Sequence, residues 1–191
     1  MMKTHSDSLP LTTFNLVTFL GDFLQITKFR LATSVVFSSV AGYLLAVDQI
    51  EISILMSLFF GGFAMVGASN AFNQWIEKDK DALMIRTMDR PLPAGRMNNL
   101  TALAIASLLT LAGIYILNNI NFKTALFGSL SIFMYTCIYT PLKSLTPLSV
   151  FVGAFPGAIP FMLGWVAATG SFGIEPGLLF MIQFFWQFPH F

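Results

Sequence analysis

Stretches of about 18 to 22 predominantly apolar residues recur along the chain, each long enough to cross a bilayer as an α-helix. Such runs leave little choice of architecture, because in lipid every backbone N–H and C=O must be satisfied internally. Only 10% of the 191 residues are charged, against about a quarter in a soluble domain. The expected fold is all-α, a polytopic transmembrane helical bundle. Spans are expected over about 29–47, 52–71, 100–117, 122–139 and 148–169, with a sixth starting near Pro176 and running to the last residue.

The rest of the chain fits this plan. Residues 1–28 are mixed and polar, so they read as a cytoplasmic leader lying on the surface, with 29–191 as one membrane domain. His5 in that leader is assigned no role. The lone cysteine, Cys137, falls in an apolar run, which excludes a disulfide framework or a cysteine metal site. A net charge of +1 gives no reason to expect a nucleic-acid partner. Ser34, Ser38 and Gly42 recur at four-residue spacing and suggest a small-residue packing face. Pro156 and Pro160 inside the fifth run predict a kinked or broken helix. The aromatic residues, Trp165 and Trp186 included, read as lipid-facing or packing groups, and Trp75 as an interfacial anchor. Nine of the ten basic residues flank the same ends of these spans, and Lys123 alone lies at the other. The positive-inside rule then places the amino terminus and the loop after the second span in the cytoplasm.

That loop is where chemistry is expected. Residues 73–96 hold nine of the nineteen Asp, Glu, Lys and Arg residues: Glu77, Lys78, Asp79, Lys80, Asp81, Arg86, Asp89, Arg90 and Arg96. Asn73, Glu77 and Asp81 are spaced i, i+4, i+8, so on a helix they share an arc of roughly 80° and make one oxygen-rich stripe. Asp79 points away from it. Two carboxylates and an amide suit a hard cation such as Mg²⁺, which keeps waters and bridges to phosphates. Arg86 and Arg90 can hold phosphate oxygens in bidentate fashion before Pro91, Pro93 and Gly95 force a loop. From spacing alone, a solvated loop whose charges only set topology stays an open alternative.

The pattern Asn73-x-x-x-Glu77-x-x-x-Asp81 with Arg86-Thr87-x-x-Arg90-Pro91-Leu92 resembles the first acidic motif of the UbiA-type intramembrane prenyltransferases. Glu77 stands where that motif has Asp, which keeps the ligand chemistry on a longer arm. Two later stretches look like the heme O synthase branch of that family. One runs from Tyr139-Thr140-Pro141-Leu142-Lys143 through Gly153-Ala154-x-Pro156-Gly157 to Thr169-Gly170, and the other is Trp186-Gln187-Phe188-Pro189-His190-Phe191. Ser144, Ser149 and Phe161 depart from the branch's usual residues.

The resemblance implies an Mg²⁺-dependent enzyme that moves a farnesyl group from farnesyl diphosphate to a vinyl group of heme B, giving heme O for terminal oxidase assembly. Asn73, Glu77 and Asp81 would be the metal-binding and catalytic residues, with Arg86, Arg90, Lys143 and His190 as substrate contacts. Lys143 could otherwise be a topology lysine, and His190 either a heme contact or a helix-capping histidine. The resemblance also implies localisation in a bacterial inner membrane, about nine spans and a second acidic motif. Since no acidic residue follows Glu175, the chain is expected to be incomplete and to show little activity alone. Two other readings remain: a prenyltransferase for another aromatic or tetrapyrrole acceptor, and a small transporter gated by residues 73–96.

Overall fold

The computed structural model describes residues 15–190, with only the backbone of His190. The expectations on residues 1–14 and on the His190 side chain lie outside the described residues. Helix α1 (Leu16–Ile26) leads into α2 (Phe29–Leu44), and then α3 (Ile52–Asp81), α4 (Asn99–Asn118) and α5 (Phe122–Leu142) alternate in direction. Helices α6 (Ser149–Thr169) and α7 (Ile174–Gln187) complete the bundle, which is entirely helical among the described residues. Four helices, α3 to α6, are long and apolar enough to cross a membrane. The protein is an integral membrane helical bundle.

The first and sixth expected spans are shorter than the hydropathy pattern suggested. Helix α2 has 16 residues and α7 has 14. The α2–α3 turn closes early because the Tyr43 hydroxyl accepts from the Glu51 backbone N–H at 2.9 Å. Helix α3 overruns its apolar stretch by ten residues and carries the acidic stripe on a continuous helix. Asparagines start two of the following helices: Asn98 Oδ1 accepts from the Thr101 N–H at 2.7 Å, and Asn121 Oδ1 from Thr124 at 2.9 Å.

Helix α6 is the central strut, and it does not break. It runs unbroken from Ser149 to Thr169 through both prolines. Pro160 has no N–H to give the carbonyl of Pro156, and the Ser131 hydroxyl of α5 donates to that carbonyl instead at 3.2 Å. Helices α2 and α6 meet backbone to backbone. A Cβ on Gly42 would overlap the carbonyl oxygen of Phe161, and one on Gly164 the carbonyl oxygen of Ser39. The small-residue face is therefore Ala32, Ser39 and Gly42, with Ser34 exposed. The seam with α6 takes in Ser39 and Gly42, whose backbone meets Gly164 and Phe161, and leaves out Ser34. The α6–α7 seam is aromatic, with the Phe184 ring 5.0 Å from Phe155, 5.2 Å from Phe188, 5.7 Å from Phe151 and 5.8 Å from Phe180.

Helix α5 contains one wide turn. Met134–Tyr139 is π-helical, directly before Pro141, which offers no N–H to the carbonyl of Cys137. The Thr140 hydroxyl donates to the Tyr135 carbonyl at 2.8 Å across this turn. Gly164→Ala should lower stability by about 1–3 kcal/mol, because a backbone atom blocks the new methyl. Gly62→Ala meets nothing nearer than Val36 Cγ2 at 3.3 Å and should cost far less. Thermal unfolding of the two variants in detergent checks the contrast.

Candidate functional site

The extension of α3 brings Asn73, Glu77 and Asp81 to one buried face, and Asp79 points outward and is exposed. Burial of two carboxylates demands partners, and three elements provide them. Asn73 Nδ2 donates to Glu77 Oε2 at 2.9 Å and to the Thr140 hydroxyl of α5 at 3.2 Å. Lys143, just beyond α5, donates to the Glu77 carboxylate at 2.7 Å. Arg90 Nη1, from the loop after α3, donates to Asp81 Oδ2 at 2.6 Å. The Thr87 hydroxyl donates to the Asp81 carbonyl at 2.9 Å and folds that loop back over the helix end.

Together these groups line a polar cavity of about 400 Å³. Six expected site residues face it: Asn73, Glu77, Asp81, Arg86, Arg90 and Lys143. The donor set, two carboxylates and an amide beside a roomy polar space, fits a hard cation that retains waters and takes further oxygens from phosphate. Among the described residues no three His, Cys, Asp or Glu side chains cluster. Arg86 is exposed at the lip. Trp75, expected as an interfacial anchor, packs against the buried cluster of Ile26, Leu92 and Met97 that supports the loop.

Sequence reasoning missed several members of the site. Lys28 was read only as a topology-setting charge, yet it lines the polar cavity. Its pKa is lowered from the usual 10.5 to about 8, first by burial and then by the nearby Arg90 and Lys143, with Glu77 and Asp81 opposing. Tyr135 and Tyr139 were also missed as lining groups. Their rings lie 5.2 Å apart and border both the polar cavity and an apolar one of about 330 Å³. Leu31, Val35, Val66, Pro156 and Pro160 line the apolar chamber, and it leads to a recess of about 50 Å³ bounded by Met65, Leu117 and Leu163. The Tyr139-x-x-x-Lys143 spacing carried this information, since one helical turn aims both residues at the same place.

Comparison with known proteins agrees with this geometry. Residues 35–191 match the model of the UbiA prenyltransferase family. A protein of Christiangramia forsetii named protoheme IX farnesyltransferase is 68% identical over 172 residues, covering 90% of this chain and 57% of that protein. A Flavobacterium psychrophilum protein of the same name is 65% identical over 174 residues, covering 90% and 58%. The chain spans a little under three fifths of the length of these relatives. A digeranylgeranylglyceryl phosphate synthase structure superposes with a TM-score of 0.78 at 20% identity, covering 86% of this chain and 58% of that one. A UbiA homolog from Archaeoglobus fulgidus bound to GPP and Mg²⁺ gives 0.70 at 13% identity, covering 88% and 62%.

Replacing Arg90 with Met should strand the buried Asp81 carboxylate and cost about 2 kcal/mol, read by chemical denaturation in micelles. The lowered Lys28 pKa predicts a pH effect of definite sign. Between about 8 and 10.5 the unfolded chain holds the Lys28 proton and the folded chain releases it, so stability rises with pH across that window. Lys28→Met should abolish this rise, and parallel melts at pH 8 and pH 10 measure it.

Proposed function

Because the chain belongs to the UbiA prenyltransferase family, we propose that it carries the diphosphate-binding part of an intramembrane prenyltransferase acting on farnesyl diphosphate and protoheme. The observation that carries this reading is a pair of adjacent chambers. A cationic and acidic compartment and an apolar one share Tyr135 and Tyr139 in their walls. That shape suits an amphiphile with a diphosphate head and an isoprenoid tail. Support for the heme acceptor comes from the two curated relatives, and support for Mg²⁺ with a prenyl diphosphate from the Archaeoglobus homolog. The charged end would face the cytoplasm of a bacterial inner membrane, in keeping with the distribution of Lys and Arg.

Asn73, Glu77 and Asp81 would hold Mg²⁺, which when bound would neutralise charge on the diphosphate. Arg86, Arg90 and Lys143 add positive charge at the same wall, and they favour departure of diphosphate with the electron pair of the C1–O bond. The apolar chamber shields the resulting allylic cation from bulk water. Vinyl π-electrons of the acceptor then form the new C–C bond. Water adds to the remaining cation and gives up a proton, leaving a hydroxyl group. His190 is retained as a candidate acceptor contact, since imidazole suits heme iron. One acidic stripe binds only part of such a head group, so the 191-residue chain is proposed to have little or no activity by itself.

A chimera tests the assignment. Residues 15–190 are exchanged into the Christiangramia forsetii relative, and membranes receive farnesyl diphosphate, Mg²⁺ and either heme B or 4-hydroxybenzoate. Heme O should form in the first arm alone, and Asp81→Ala should reduce it at least about 100-fold. Product from 4-hydroxybenzoate would reassign the acceptor. Undiminished transfer by Asp81→Ala would remove the acidic stripe from the chemistry, and chelation by EDTA should stop the reaction reversibly.

A further inference from the structure

Lys28 occupies the turn between α1 and α2 with φ +48° and ψ +58°, and it is the one non-glycine residue with positive φ among those described. Left-handed backbone is disfavoured for a long side chain and persists only where neighbours over-determine it. Here they do. Gln74 Nε2 donates to the carbonyls of Gln25 at 3.1 Å and Ile26 at 2.9 Å, and Asn70 Nδ2 donates to that of Thr27 at 3.2 Å. From the loop after α3, Arg96 donates to Asp22 Oδ1 at 2.8 Å and to Gln25 Oε1 at 2.8 Å. The last carbonyls of α1 are thus capped by side chains of α3, and the next residue is turned toward the polar cavity.

The charges facing that cavity are unevenly engaged. Arg90 is committed to Asp81 and Lys143 to Glu77. Among the described residues the Lys28 ammonium has no hydrogen-bond or ion-pair partner, although it lines the cavity and is partly buried. A desolvated cation without a partner is costly, and both nearby carboxylates already have theirs. What would complete it is an additional anion entering the cavity.

We propose that Lys28 is a direct contact of the substrate's diphosphate group, beside Arg90 and Lys143, whose charges are shared with the carboxylates. This rests on the diphosphate reading given above. Asn70 and Gln74 are then positioning residues, and α3 does double service: one face presents the acidic stripe and another sets the lysine opposite it. A hinge with no ligand role would be better made of glycine, which adopts positive φ freely. That difference separates the functional role from a structural one.

The test uses the chimera described above, in nanodiscs, as the parent, with inorganic pyrophosphate and excess Mg²⁺ followed by isothermal titration. Lys28→Met and Lys28→Gly should each weaken binding at least about tenfold, the loss of one charged hydrogen bond. Lys28→Arg should stay within about threefold, because a guanidinium still reaches phosphate oxygens. Lys28→Gly should melt at or above the parent temperature, which shows that the lost affinity does not come from a damaged fold. If both variants bind pyrophosphate as tightly as the parent, Lys28 is no ligand and the family reading is untouched. If the parent takes up no pyrophosphate, the diphosphate reading falls and the Lys28 assignment falls with it.

Discussion

Two carboxylates sealed against one side of a helix at a membrane boundary must be neutralised, and the charged end of this bundle is arranged around that requirement. Glu77 draws in Lys143 from beyond α5, and Asp81 draws in Arg90 from the loop after α3. The first pair joins residues 66 apart in sequence, and the second folds the following loop back over the end of α3. Buried pairs of this kind add little net stability, because desolvation offsets most of the attraction. What they impose is geometry: α3, its loop and the end of α5 must converge for any of the charges to be tolerated. The polar cavity is the space left at their meeting point.

The apolar half obeys a different constraint. In lipid there is no hydrophobic drive between helices, so close packing and satisfied carbonyls have to hold the bundle together. Glycines at 42 and 164 bring α2 and α6 into backbone contact, and Ser131 restores a partner to the carbonyl that Pro160 leaves open. The chamber beneath the tyrosines persists between these rigid seams. Its boundary with the polar cavity is set by the π-helical turn, which brings both Tyr135 and Tyr139 to the junction.

Much of this was legible in the chain. Span positions followed from apolar run length, and the convergence of Asn73, Glu77 and Asp81 followed from helical periodicity carried past the apolar run. Arg86, Arg90 and Lys143 reach the same cavity, in agreement with their motif spacing. Other features were hidden for physical reasons. Spacing carries no φ angle, so Lys28 looked like one more flanking charge. Spacing alone does not say where a neighbouring helix will lie, hence the wrong face at Ser34. The prolines at 156 and 160 suggested a kink or a break, and the helix continues through them where a hydroxyl from another helix, Ser131, takes up the carbonyl of Pro156.

The tie between Arg96 and Asp22 spans 74 residues. At roughly 5–20 residues per second, the ribosome needs several seconds to make the second partner after the first. Helix α1 therefore cannot make this tie until α3 and the loop after it have emerged, and its seat on the bundle is completed by residues translated well after its own.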